Sequence, residues 1–217
     1  MAYKLVIFDC DGVLVDSEGI GNDVFAAMLA DYGHEISSDE SISRFRGMKL
    51  ASCLAILERE TGIELPESFE TDLRRRMSSV FRAELKPVEG ALRLVESLKV
   101  PFCVASSGPR KKIEENLRTT DLYRHFVGRI FSGYEVGSWK PEPGLFLSAA
   151  GHFGVAPGDC VVIEDSFVGV SAGVAADMTV LGLSTGEDDK PVAAANRIFP
   201  SLYEIHQYFV AQGLSHK

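Results

Sequence analysis

The chain has 217 residues, of which 46% are apolar and 24% charged, and a formal net charge of −9. That length holds one domain, or one domain carrying an insertion, and the composition excludes a disordered chain. The acidic balance argues against general affinity for nucleic acid or anionic membrane, while leaving room for a small anionic ligand at a locally cationic site.

The first element is "LVIF", Leu5–Phe8, an apolar run too short for a helix. It ends on Asp9 and Asp11 with only Cys10 between them, so two like charges close a buried strand. Residues 17–85 then change rhythm. "NDVFAAMLADYG" and "ASCLAILERETG" carry apolar residues at helical spacing and stop at Gly, and residues 68–84 continue in that style. Three or four helices are expected there, leaving the core directly after the first strand. Beyond them, short apolar runs at 101–105, 129–131, 160–163 and 179–182 alternate with helix-length segments at 91–99, 110–119, 144–153 and 168–175. This alternation predicts an α/β fold: a Rossmann-like parallel sheet with helices on both faces and an inserted all-helical cap. The expected division is a core of residues 1–16 and 86–217 and a cap of residues 17–85.

Ligands of such a sheet bind at the carboxyl ends of its strands. There the sequence collects Asp9 and Asp11, then Ser106, Ser107 and Gly108, then Lys140, then Glu164 and Asp165. Several acids with few cations favour a hard divalent ion, and Mg²⁺ suits a partial set of oxygen ligands because it keeps waters and substrate phosphate. Such an ion offsets repulsion among Asp9, Asp11 and Asp165. The Ser-Ser-Gly turn before a helix offers hydroxyls and free N–H groups to phosphate oxygens, and Lys140 supplies the remaining positive charge. A carboxylate can then attack phosphorus, with Asp9 as nucleophile and Asp11 as acid and base.

"DCDGVLVDSE", "VASSG", "WKPEP" and "IEDSFVGV" resemble, in order, the four motifs of the haloacid dehalogenase superfamily of phosphohydrolases. The resemblance spans nearly the whole chain. It implies Asp9 as nucleophile, Asp11 as acid/base and backbone-carbonyl metal ligand, Ser106 as phosphate binder and Lys140 as charge neutraliser. It also implies Asp165 as a Mg²⁺ ligand, with Glu164 similar to the family's accessory acid. An Asp at position 11 favours phosphate esters over carbon–halogen or phosphonate substrates. Sugar phosphatases of the 6-phosphogluconate type resemble the chain at "RFRGMKL", "SSGP" and "FSGYEVGSWKPEP", which implies phosphorylated sugars or sugar acids. The β-phosphoglucomutase type carries a cap histidine and arginine where this chain has Gly21 and Leu50, so a mutase is the alternative reading. A non-catalytic phosphosugar sensor ranks third, since every motif residue is present.

Arg44, Arg46 and Lys49 surround Gly47 in the cap. Facing the site, Arg46 and Lys49 would read a substrate carboxylate or second anion; facing outward, the three form a solvated basic stretch. Arg74, Arg75 and Arg76 occupy consecutive helical positions that point different ways, so most of that run is expected on solvated surface, with Asp16 and Ser17 as caps opening the first helix and Ser166 as an N-cap. "AADM" places Asp177 where the family more often has Gly. The five histidines lack metal-ligand spacing, and Cys10, Cys53, Cys103 and Cys160 form no CxxC pair. Buried thiols in a reducing compartment are expected, with the cytoplasm as location, a monomer as the form, and no nucleic-acid or membrane partner.

Overall fold

The computed structural model describes residues 3–184 and 189–216. Six strands form one parallel sheet: β1 (Leu5–Phe8), β2 (Phe102–Ser106), β3 (Ile130–Ser132), β4 (Cys160–Glu164), β5 (Thr179–Leu183) and β6 (Arg197–Phe199), in spatial order 3-2-1-4-5-6. Register puts Phe8, the last residue of β1, beside Val104 and beside Ile163, so β2 and β4 run slightly past the end of β1 and their carboxyl ends open on the same edge. The order reverses between β1 and β4, and a crevice for ligand opens at such a reversal. Asp9 and Asp165 follow the two strands that flank it.

Side chains of a strand alternate between faces, and β1 divides accordingly. Val6 and Phe8 join a core with Leu94, Ile113, Leu117, Phe126 and Phe209, while Leu5 and Ile7 join a second with Phe146, Val162 and Val170. Both faces are therefore dry, which is why the strands read as continuous apolar runs rather than alternating ones.

Between β1 and the rest of the core lie α1 (Glu18–Ala30), α2 (Ser38–Phe45), α3 (Leu50–Thr61) and α4 (Phe69–Glu84). Phe25, Leu29, Phe45, Leu57, Phe69 and Leu73 from these helices build a cluster of their own. Gly62 ends α3 in the left-handed region at φ 70°, the stop signal legible in the sequence. The core continues with α5 (Ala91–Ser97), α6 (Arg110–Thr119), α7 (Tyr123–Phe126), α8 (Gly133–Val136), α9 (Gly144–Phe153), α10 (Phe167–Ala175) and α11 (Leu202–Ala211). Asp177 turns the chain out of α10 at φ 63°. That conformation explains why a glycine suits the position and why Asp, one of the residues that tolerates it, can replace one.

All four cysteines are buried free thiols, Cys10 among them on the core side of the sheet end. No helix among the described residues is long and apolar enough to cross a membrane.

Candidate functional site

The chain turns sharply after β1. Gly12 takes φ 78°, and its N–H donates to Val15 O at 2.8 Å. A Cβ at Gly12 would stand 2.0 Å from Asp165 Oδ2, so only glycine lets the two loops approach this closely. The close approach brings the acids after β1 and β4 together. One carboxylate oxygen from each of Asp9, Glu164 and Asp165 lies within 4.8 Å of the others, and all three side chains are buried.

Lys140 enters this group from the loop after α8. Its side chain is 1% exposed, and its ammonium bridges the carboxylates of Asp9 and Glu164. The second oxygen of Glu164 accepts from Asp165 N (2.9 Å), Ser166 N (3.0 Å) and Ser166 Oγ (2.9 Å). Glu164 thereby fixes both the lysine and the start of α10, where Ser166 also caps Gly169 N as expected.

Asp11 has different partners. Lys112 Nζ donates to its Oδ2 at 2.7 Å and Ser17 Oγ to its Oδ1 at 2.7 Å. Ser17 does stand at the N-terminus of α1, but its side chain makes no cap bond, because the Asp11 carboxylate is the stronger acceptor. Lys112 was not among the expected site residues. It sits in a run of three basic residues, Arg110–Lys112, whose middle member is 88% exposed. The legible signal was its place beside the buried face of α6, which carries Ile113, Asn116 and Leu117.

Ser106 and Ser107 stand where β2 meets α6. Ser106 Oγ accepts from Gly108 N at 3.1 Å, and Ser132 Oγ donates to Gly108 O at 2.6 Å, bracing the turn. Ser107 Oγ is buried without a hydrogen-bond partner among the described residues. A buried hydroxyl without a partner is costly, so an acceptor such as a phosphate oxygen suits it.

The cap cations divide. Arg44 pairs with Glu40 and Glu60, away from the site. Arg46 turns inward, with Nε 3.6 Å from both Glu18 and Asp165. Gly47, at φ 77°, lets this loop lie against Ser166 and Val168 of the core, where a Cβ would collide. Lys49 lies 3.8 Å from the ring centre of Trp139 and 5.3 Å from that of Tyr134, a cation–π contact from cap to core. Of the three consecutive arginines, Arg75 and Arg76 are exposed as expected for most of that run, and Arg74 is the member that turns in: it donates to Tyr134 Oη at 2.9 Å and is half-buried.

Between cap and core lies a cavity of about 570 Å³. Asp9, Asp11, Ser106, Ser107 and Lys140 form its floor, and Arg46, Lys49 and Arg74 border it from above.

The electrostatics separate the two aspartates. Burial pushes the Asp9 carboxyl up to about 7; Lys140 opposes this, but Glu164 and Asp11 add to it. Burial also pushes Asp11 upward, yet Lys112, Ser17 and Lys140 outweigh it and hold that carboxyl below its ordinary range. Burial, with Glu18 and Glu164 nearby, raises Asp165 well above the usual carboxylate range despite Arg46. With all five carboxylates ionised (Asp9, Asp11, Glu18, Glu164 and Asp165), the three cations (Arg46, Lys112 and Lys140) leave a surplus of two negative charges, and burial together with that surplus raises Asp9 and Asp165 in the absence of a further cation. An all-oxygen, doubly negative cluster fits a hard divalent ion.

A family model of haloacid dehalogenase-like hydrolases matches residues 3–177. The 6-phosphogluconate phosphatase of Escherichia coli (strain K12) is 32% identical over 97% of this chain and 96% of its own. A phosphorylated carbohydrates phosphatase of Thermotoga maritima is 32% identical over 78% of this chain and 79% of its own. Among solved structures, a haloacid dehalogenase-like protein of unknown function from Agrobacterium tumefaciens superposes with a TM-score of 0.85 at 30% identity, covering 98% of this chain and 100% of that one.

Proposed function

The chain belongs to the haloacid dehalogenase-like hydrolases and is a phosphoric monoester hydrolase; from that premise we propose a Mg²⁺-dependent phosphatase of small phosphorylated sugars or sugar acids, acting through an aspartyl-phosphate. The observation that carries the reading is the convergence of Asp9, Lys140 and Asp165 beside the Ser106–Ser107 hydroxyls at the reversal of strand order.

Asp9, Asp165 and Glu164 would hold the ion, with Glu164 limited by the donors that already occupy its second oxygen. Bound there, Mg²⁺ would supply charge neutralisation for the carboxylates and for phosphate oxygens. Ser106, Ser107 and Lys140 bind the phosphoryl group at the floor of the cavity. An Asp9 carboxylate oxygen attacks phosphorus, the ester bond breaks, and the departing alkoxide takes a proton from Asp11. Asp11 then removes a proton from water, whose oxygen attacks the aspartyl-phosphate, releasing inorganic phosphate and restoring Asp9. Lys112 and Ser17 favour the charged form of Asp11, which suits the second half. For the first half the carboxyl must leave that pair, and movement of the cap that begins at Ser17 provides the occasion.

We take residues 17–85 as the closing cap and residues 1–16 with 86–217 as the core. Gly21 and Leu50 both border the cavity and neither brings a charged group, which favours water over a second sugar hydroxyl as acceptor.

The test is phosphate release from a panel of phosphorylated sugars and sugar acids, with and without Mg²⁺, using Asp9→Asn as the blank. Mg²⁺-dependent release by the wild type alone is the expected result. Silence across the panel from a folded protein would remove the reading.

A further inference from the structure

Polar side chains gather along the cavity wall that leads away from the acids, where neither the phosphate chemistry nor the cap loop uses them. α6 starts directly beyond the turn at 106–109, and the cavity follows it from Ser106 to Asn116. Asn116 is the seventh residue of that helix, about 9 Å along its axis from the first at ~1.5 Å rise per residue. It is 3% exposed, and its amide nitrogen has no hydrogen-bond partner among the described residues. Lys112, one turn earlier on the same stripe, is committed to Asp11. α4 packs against α6 here: Ser78 of α4 donates to Glu115 Oε2 at 3.1 Å, and Arg82 Nη1 donates to Ser78 Oγ at 2.8 Å. Ser78, Arg82, Glu115 and Asn116 all line the cavity.

A buried carboxamide is costly unless its polar atoms find partners. It offers a donor and an acceptor side by side, and a hydroxyl can serve as either. The neighbouring Glu115 carboxylate accepts a second hydroxyl proton. We propose that Asn116, with Ser78 and Glu115, forms a subsite for hydroxyl groups of the leaving group. It selects phosphate esters whose hydroxylated chain extends nearly two helical turns beyond the phosphate turn. Hexitol phosphates and phosphorylated hexonic acids reach this wall, and glycerol phosphate ends before it. The subsite rests on the phosphatase reading, and it places discrimination of chain length on a core helix as well as on the cap.

The experiment measures kcat/KM of the wild type and of Asn116→Leu on a hexitol phosphate and on glycerol phosphate. Leucine keeps the volume and removes both polar atoms. The ratio of the two kcat/KM values, long ester over short, falls about threefold to tenfold in the variant, the size of one neutral hydrogen bond. Most of that change lies in KM for the long ester. An unchanged ratio overturns the subsite, whatever happens to overall activity. Should Asn116→Leu fail to fold, Glu115→Leu, at a side chain one-third exposed, removes the other acceptor and reads the same ratio with the same two outcomes. A wild type silent on both esters would instead sink the phosphatase reading beneath the subsite, and that failure is visible before any variant is compared.

Discussion

Lys112 Nζ lies 2.7 Å from Asp11 Oδ2, joining residues 101 positions apart in the chain. Hydrogen bonds to charged groups contribute about 1.5–3 kcal/mol where they are sheltered from water. The Lys112 side chain is about one-third exposed, so the lower part of that range applies. Lys112→Met should therefore lower kcat on the order of tenfold with little change in fold, because Asp11 loses the contact that orients it. Lys112→Arg keeps a cation within reach and should recover part of the loss. Steady-state kinetics on one phosphate ester checks both, and equal activity of Lys112→Met and wild type would show that Asp11 needs no such partner.

Asp9 gives a linkage prediction in metal-free protein. Its carboxyl rises from 3.8 to about 7 on folding, through burial first, with Glu164 and Asp11 outweighing Lys140. Below the unfolded value both states hold the proton and nothing is lost. Between about 4 and 7 the unfolded chain releases its proton more readily, so stability falls as pH rises, and above 7 the full cost is present. Asp9→Asn removes this cost. In a chelator, the variant should melt several degrees above the wild type at pH 8 and close to it at pH 4, while hydrolysing no ester when Mg²⁺ is restored. Melting curves at the two pH values read the first part, and a wild type that melts higher at pH 8 would overturn it.

Much of this was legible because local signals and tertiary demands coincide. Leu5–Phe8, Arg110–Thr119 and Gly144–Phe153 fall where the apolar runs and helical spacing put them. Asp9 and Asp11 close the apolar run of β1 and Asp165 that of β4, while Lys140 comes after β3 only past the short helix α8, so the topology of the strand ends gathers them. β6 was missed for a physical reason: it is a three-residue edge strand, and exposed Arg197 and Ile198 make no continuous apolar run. Lys112 was missed, and the direction of Arg46 was left open between inward and outward, because a basic residue on a helix or loop carries no local mark of its partner. Ser17 misled for a related reason: a serine before a helix is an ordinary cap, and only the fold brings the stronger acceptor to it.

Lys49 separates two roles for the cap loop. The sequence suggested an anion-reading residue, while the side chain rests on Trp139 and Tyr134 of the core. A cation–π contact at a partly exposed site contributes about 0.5–1 kcal/mol. Lys49→Met should raise KM about twofold to fivefold by weakening the closed cap, and equally for sugar phosphates with and without a carboxylate. A loss confined to the carboxylated substrates would return Lys49 to substrate recognition. Trp139 is the single tryptophan of the chain, so its emission should also change in the variant.

Asp165 tests the divalent ion without reference to turnover. A ligand that binds only the folded state stabilises it by about 2.7 kcal/mol at a hundred times its dissociation constant. For a chain of this size that corresponds to a rise of roughly 5–10 °C in Tm. Millimolar Mg²⁺ should raise the Tm of the wild type within that range, and a chelator should reverse the rise. Asp165→Asn removes one of the three clustered oxygens and one of the two surplus charges, so the same Mg²⁺ should move its Tm far less. Its metal-free Tm should equal or exceed that of the wild type, because burial, Glu18 and Glu164 together disfavour the Asp165 carboxylate more than Arg46 favours it. Both signs together identify a carboxylate retained for a cation rather than for the fold. A variant that melts lower without metal and still gains the full Mg²⁺ shift would place the ion elsewhere.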